Sequence, residues 1–442
     1  MCYAIPGKVE SVEAQMVVVD YFGEKKKARN ELPNLAVGDY VYAQGGYVIT
    51  KVSKQEAEES LSGWKELFFS LKDTDDQLVF FAPENSAVDR RVARIVKEVS
   101  QGKEISPDEL KYLIQLSDES QLDILFKSAN FLRHKYHGNA CCVHGIIEIS
   151  NNCRKQCGYC GISIYNRQLK RYRMSKPEII AAVEEAVNKY GFKALILQSG
   201  EGAYSVAELA DIIKQIKQDF SVLIFISFGE IGQQGLAELY QAGARGLLMR
   251  FETSNPDLYR KIHPGQELDS RLEEIRQAYQ MGYLIITGAL IGLPAQTDND
   301  IINDILLART LNAEMFSFGP FIAHAQTPLA AAVPPAEEKV LKVLAAARFA
   351  AAREAKILVT TGFETLSSRA RQKGLVSGGN SVMLNVTPLR YRGFYAIYPN
   401  RAHESETVPE QIDETVKLLK SLGRAPTDLG VGVVKQKEAS KL

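Results

Sequence analysis

The sequence predicts an α/β protein: a (β/α)8 barrel of the TIM type carrying a small N-terminal β-barrel domain. Three observations support this. From residue 145 onward eight short apolar runs recur, at 145–150, 194–198, 222–227, 246–250, 283–289, 315–318, 356–360 and 382–385. Helical patterns separate most of them, near 176–190, 206–218, 233–242, 269–281, 298–311 and 337–353, and another closes the region at 409–422. Residues 1–50 instead show short strand-like runs broken by turn residues. Apolar strands alternating with helices form a parallel sheet with helices outside. Eight such units fit a closed barrel, whose sites lie in the loops after the strands. The eighth unit is the weakest of the set, and a six-stranded partial barrel is the alternative.

In the N-terminal segment, Val9, Val12 and Met16-Val17-Val18-Val19 suggest strands, and Gly23, Pro33-Asn34 and Gly38-Asp39 mark turns. Residues 54–71 read as a helix with Glu56, Glu58 and Glu59 in its first turns, where carboxylates suit the helix dipole. The module therefore spans 1–72. The polar stretch Asp73-Thr74-Asp75-Asp76 suits a linker, placed at 73–86. A helical segment, 87–140, follows with three amphipathic patterns; Ser106-Pro107-Asp108-Glu109 starts the second. The barrel covers 141–425, and 426–442 is a tail.

The chain has 442 residues, 45% of them apolar, with 53 basic and 53 acidic side chains. That balance argues against a nucleic-acid or anionic-membrane surface as the main partner. No apolar run approaches the ~18–20 residues of a membrane span, and Met1-Cys2-Tyr3-Ala4-Ile5-Pro6 lacks the features of a signal peptide. A cytoplasmic protein is expected. Five of the six cysteines, Cys141, Cys142, Cys153, Cys157 and Cys160, cluster within 20 residues, and Cys2 stands alone. Such a cluster suits a metal or cofactor site better than a disulfide framework.

The spacing Cys153-x3-Cys157-x2-Cys160 supplies three thiolates just after the first predicted barrel strand. A 4Fe–4S cluster normally takes four cysteines, so three leave one iron open. Gly158 gives the loop room to wrap a bulky cluster. The alternative is a zinc site completed by His144 or Cys142.

CxxxCxxC with Tyr159 before the last cysteine resembles the radical S-adenosylmethionine (SAM) superfamily. The resemblance implies that Cys153, Cys157 and Cys160 hold one 4Fe–4S cluster, with Tyr159 beside the adenine of SAM. More closely, the chain resembles the HydE family of FeFe-hydrogenase maturases. The segments that carry this are Ile146-Ile147-Glu148, Arg171-Tyr172-Arg173-Met174, Leu197-Gln198-Ser199-Gly200-Glu201, Arg250-Phe251-Glu252-Thr253-Ser254-Asn255-Pro256, Gly292-Leu293-Pro294, Gly319-Pro320-Phe321-Ile322, Thr360-Thr361 and Asn385-Val386-Thr387-Pro388. They run in order over about residues 88–423. Biotin synthase and methylornithine synthase share the plan.

The resemblance implies that Gln198, Ser199, Gly200 and Glu201 contact SAM, with the Glu201 carboxylate on its ammonium group. It likewise implies that Glu252 accepts from the ribose or methionyl amine and that Arg271 clamps the methionyl carboxylate. The same resemblance implies that Arg250, Thr360, Thr361 and Tyr391 line the barrel interior where anionic substrate groups bind, and that His324 touches substrate. Val386 stands where the family often has tryptophan. Gly246, beside Arg245, stands where some members have an arginine. Because no cysteine follows Cys160, one cluster is expected.

Met1-Cys2-Tyr3-Ala4-Ile5-Pro6-Gly7-Lys8, Val37-Gly38-Asp39-Tyr40-Val41 and Gly46-Tyr47-Val48-Ile49 resemble the hydrogenase-maturation chaperone family HypC. The resemblance implies an iron-holding thiolate at Cys2, although Gln44 replaces the histidine usual in that family. The expected function is a radical SAM enzyme of hydrogenase cofactor assembly. It would act on a small sulfur-containing or iron-bound substrate, with a one-electron donor and a maturation partner or hydrogenase subunit. The alternatives are radical SAM chemistry on another small substrate and an iron-complex metallochaperone.

Overall fold

The computed structural model describes residues 5–79, 90–351, 353, 355–427 and 431–432. Strands Gly7–Glu13, Met16–Tyr21, Glu24–Arg29, Tyr40–Gln44 and Tyr47–Val52 form the N-terminal module. Along Met16–Tyr21 alternate residues Val17, Val19 and Tyr21 are buried, as the pleat of a half-buried strand requires. Arg29 pairs with Tyr47, which joins the third strand to the fifth and closes a five-stranded barrel. The tail does not trail free: Val431–Gly432 pairs antiparallel with Glu24–Arg29.

The helix after the module runs from Lys54 to Val79. It therefore absorbs residues 73–79 of the linker expected at 73–86, and the rest of it, 80–86, lies outside the described residues. Asp75 is the reason. Its carboxylate receives Arg133 Nη1 at 2.6 Å and Nη2 at 2.8 Å, Arg424 Nε at 3.0 Å, and lies 2.8 Å from His134 Nδ1. Asp75, Arg133 and Arg424 are all buried. Three parts of the chain are thereby pinned at one point: the module's helix, the helix Glu119–His137, and the end of the barrel. Arg90–Ser100 and Pro107–Gln115 complete the helical segment, the second opened by a capping box between Ser106 and Glu109.

The large domain is a parallel ring of eight strands: Cys142–Ser150, Ala194–Ser199, Leu223–Ser227, Ala244–Leu248, Leu284–Thr287, Met315–Phe316, Lys356–Ile357 and Ser381–Asn385. The ring has eight strands rather than six, because Ser381–Asn385 pairs with Cys142–Ser150 and a single bridge, Leu358 to Ser381, joins the seventh strand to the eighth. The seventh is shorter than its apolar run because Thr360 leaves the sheet to cap the short helix Thr361–Glu364. No helix of the described residues is long and apolar enough to cross a membrane.

The module covers the N-terminal end of this ring. Its Tyr47 and Ile49 enter the interior apolar cluster formed by Ala194, Ile196, Leu223, Phe225, Ile286, Met315, Leu358 and Met383. Tyr47 Oη donates to Gly282 O at 3.2 Å, and Glu31 pairs with Arg245 at 2.8 Å. Arg245 therefore serves the module contact, at the opposite end of the barrel from the cysteine loop.

Replacing Asp75 with alanine leaves two buried guanidinium groups without their shared anion. The expected loss is about 3–5 kcal/mol, read by urea unfolding at neutral pH. Burial alone would raise the Asp75 carboxyl, but hydrogen bonds from His134 and Arg133 and the charges of Arg133 and Arg424 lower it to about 2. Its contribution is thus complete above the unfolded value of about 3.9 and disappears as pH falls toward about 2.

Candidate functional site

The strand Cys142–Ser150 ends where the cysteine loop begins. Its even-numbered residues Ile146 and Glu148 face the ring interior, while Ile147 and Ile149 belong to the core under the helices. The loop is held by its backbone. Arg171 donates from Nη1 to Asn151 O and Ile162 O, both at 2.6 Å, and from Nη2 to Ser163 O at 2.7 Å and Asn166 O at 3.2 Å. Gly158 N donates to Ile262 O at 2.8 Å, Gly161 N to Ile397 O at 2.8 Å, and Tyr159 O accepts from His324 N at 2.9 Å. A Cβ on Gly158 would meet only ordinary contacts; at Gly200 it would sit 2.2 Å from Asn152 O. Close approaches that need glycine are therefore at Gly200, between the second strand and the loop, and at Gly161, where a Cβ would sit 2.0 Å from Ala396 O.

The three thiols are free and half-buried at the edge of a cavity of about 320 Å³ inside the C-terminal end of the ring. Burial, with the neighbouring Cys153 charge, pushes the Cys160 thiol up to about 12 and moves Cys157 in the same direction. Thiolates gathered this way need a cationic metal centre, so the donor set fits an iron–sulfur cluster. His263 Nδ1 lies 3.2 Å from Cys157 Sγ, and burial lowers its basicity. Its ring meets that of Tyr159 edge-on at 5.7 Å.

Gln198, Ser199, Gly200 and Glu201, at the end of the second strand, line the same cavity, as do Tyr159, Arg250, Glu252, Arg271, Thr360 and Thr361. Glu201 pairs with Lys155 at 2.9 Å. Arg271 donates to Glu230 at 3.0 and 3.1 Å and to Arg250 O at 3.0 Å. Arg250 Nη2 stands 3.0 Å from Glu252 Oε2, yet the two are not aligned as a hydrogen bond. Among the described residues, Arg250 Nε and Nη2 and Glu252 Oε2 are buried without a hydrogen-bond partner. Buried polar atoms in that state fit a polar ligand. Glu252 also has a φ of 69°, left-handed for a residue with a Cβ. Bonds from Glu252 N to Gly288 O and from Leu290 N to Glu252 O hold it there, storing strain of about 1–3 kcal/mol.

Two expected residues are elsewhere. Tyr391 stacks on Tyr172 at 4.8 Å and donates to Glu178 on the helix Lys176–Glu184, outside the ring. The short helix Leu389–Arg392 carries it away from the interior. His324 packs its ring near Gly161, and its Nδ1 accepts from Gln326 N at 3.1 Å; it backs the loop rather than facing the cavity. Val386 lies in the outer core near Gly145, so the family difference there concerns packing. Cys2 lies outside the described residues.

Sequence reasoning passed over the buried ion pair Glu148–Arg401, at 2.5 Å, with Asn385 Nδ2 donating to Glu148 at 3.0 Å. Strand alternation signals Glu148. Arg401 comes from a loop with no motif and had no signal. Glu230 and His263 were likewise missed.

A HupF/HypC family model matches residues 1–64 and a Radical SAM superfamily model matches residues 147–308. The chain is 35% identical over 334 residues to the FeFe-hydrogenase maturase subunit HydE of Thermotoga maritima, covering 75% of this chain and 95% of that protein. It is 29% identical to 3-methylornithine synthase of Methanosarcina acetivorans, over 53% of this chain and 67% of the relative. The crystal structure of methylornithine synthase superposes with a TM-score of 0.65 at 23% identity, over 75% of this chain and 97% of that one.

Arg171→Ala removes four bonds to loop carbonyls without touching a thiol. The expected result is a folded protein that takes up less than half the wild-type iron and sulfide on anaerobic reconstitution, measured by metal and sulfide content.

Proposed function

The chain belongs to the HydE family of radical SAM enzymes, and we propose that it serves hydrogenase cofactor assembly, acting inside the barrel on a small sulfur-containing or iron-bound substrate toward the FeFe H-cluster. The observation that carries the reading is the meeting, on one cavity, of three free thiols with buried polar atoms of Arg250 and Glu252 that lack a hydrogen-bond partner. When bound, a single 4Fe–4S cluster supplies the electron that cleaves SAM to methionine and a 5′-deoxyadenosyl radical.

In this reading Cys153, Cys157 and Cys160 hold the cluster, and Tyr159 packs beside the adenine. Glu201, which already accepts an ammonium from Lys155, receives that of SAM. Arg271, braced by Glu230, holds the methionyl carboxylate, and Glu252 accepts from the ribose or the amine. Gln198, Ser199 and Gly200 bound the SAM side. Arg250, Thr360 and Thr361 face the substrate, and the Glu148–Arg401 pair closes the inner wall. Access of water is restricted, because the module covers one end of the ring and the cysteine loop borders the other. The N-terminal module carries iron on Cys2 and meets a maturation partner or hydrogenase subunit. The protein works in the cytoplasm with a one-electron donor.

A second reading keeps the radical chemistry and changes the substrate to a carbon skeleton, as the similarity to 3-methylornithine synthase allows.

Anaerobically reconstituted protein with SAM and dithionite should form 5′-deoxyadenosine, and Cys157→Ala should reduce it to background; wild-type protein loaded with a cluster yet making none would overturn both readings. Glu252→Gln should raise KM for SAM roughly tenfold to a hundredfold, the ~1.5–3 kcal/mol of a charged hydrogen bond. Cys2→Ser should leave 5′-deoxyadenosine formation unchanged and abolish hydrogenase activity in cells that depend on this protein. Hydrogenase activity unaffected by loss of the whole gene would favour the second reading.

A further inference from the structure

At the end of the ring opposite the cavity, a thiol, an imidazole and a carboxamide are buried together where the module meets the barrel. Gln44 is 1% exposed, Cys142 2% and His144 1%. Cys142 Sγ lies 3.3 Å from His144 Nε2, and Gln44 Nε2 lies 3.7 Å from the same sulfur. The His144 ring packs 5.1 Å from that of Phe225. Phe225 occupies the space beside Gly246, where a Cβ would come within 1.8 Å of its ring. The missing side chain on the fourth strand thus makes room for the ring that supports His144.

These groups share a column. On Cys142–Ser150 the inward positions are Cys142, His144, Ile146 and Glu148, and the last two line the cavity. From His144 to Glu148 is four residues of strand, about 13 Å. Ile146 therefore lies between a thiol–imidazole pair at the module and the ion pair at the chamber wall.

We propose that Cys142 and His144 form a binding site for a first-row transition-metal ion at the junction of module and barrel. A thiolate with an imidazole suits iron(II), cobalt(II) or zinc, and is a poor donor set for magnesium or calcium. Two such ligands on one tetrahedral ion, with metal–sulfur near 2.3 Å and metal–nitrogen near 2.0–2.1 Å, stand about 3.6 Å apart. The observed 3.3 Å requires only a small opening. On binding, the Cys142 thiol loses its proton to solvent, His144 donates a neutral nitrogen lone pair, and no electron is transferred. The argument does not rest on Cys2, which lies outside the described residues, nor on the substrate proposed above. Its consequence is a metal station on the barrel side of the junction, in line with the interior chamber.

The test uses the full chain carrying Cys153→Ser, Cys157→Ser and Cys160→Ser, so that the cluster ligands do not compete. Anaerobic titration with cobalt(II) should give about one ion per chain and a thiolate-to-cobalt absorption in the near ultraviolet. Adding Cys142→Ser should remove that absorption, and His144→Gln should weaken binding at least tenfold. Cys141→Ser, at a neighbouring thiol of the outer core, should leave both unchanged. Absorption that persists in Cys142→Ser, as a site on Cys2 alone would give, overturns the proposal. So does loss of absorption in Cys141→Ser as complete as in Cys142→Ser. Because both site variants alter buried positions, the parent is also measured by X-ray absorption at the cobalt edge: a shell with sulfur and imidazole nitrogen supports the site, and one without sulfur overturns it.

Discussion

The pleat of one strand, Cys142–Ser150, is the constraint on which the rest is built. It is hydrogen-bonded on both sides, to Ala194–Ser199 and to Ser381–Asn385, so it cannot rotate or slip without breaking two ladders. A one-residue shift would turn every side chain to the other face. In the observed register Val143, Ile147 and Ile149 enter the core under the helices, while Cys142, His144, Ile146 and Glu148 face the interior. The same register fixes where Ser150 ends and hence where the cysteine loop starts.

Charge inside the ring is handled by pairing. Glu148 with Arg401, Glu201 with Lys155 and Glu230 with Arg271 each place a cation against an anion around the cavity. Removing one partner of such a buried pair is far more damaging than replacing both, because the remaining charge stays buried. Arg250 and Glu252 also pair, at 3.0 Å, but without hydrogen-bond alignment, and the backbone at Glu252 is strained. Buried polar atoms without a hydrogen-bond partner, beside a strained backbone at a cavity, are compatible with a polar ligand there.

The module is part of the barrel's architecture and not an appendage. Tyr47 and Ile49 complete the apolar interior at the N-terminal end of the ring, and Glu31 draws Arg245 toward the module. Asp75 ties the trailing helix to Arg133 and Arg424. An acidic tetrad such as 73–76 reads locally as solvent-seeking. Nothing within a few residues of Asp75 announces two arginines 58 and 349 residues away.

What the chain determined by itself was the periodic and the local. Eight apolar runs announced a parallel sheet with helices outside, because parallel strands buried on both faces must be apolar. The CxxxCxxC spacing brought three thiols together, because residues three and four apart on one loop stay close in space. The strand-end residues Gln198 to Glu201, Arg250, Glu252, Thr360 and Thr361 were legible through the family resemblance, and they meet on one cavity because the loops after barrel strands converge. Only the tertiary structure decided the rest. Closure of the ring through Leu358 and Ser381, the placing of Arg401 against Glu148, the removal of Tyr391 and His324 from the chamber, and the seating of Gln44 over Cys142 and His144 all join residues far apart in sequence. Such contacts are set by how loops and modules pack, and packing leaves no period in the sequence to read.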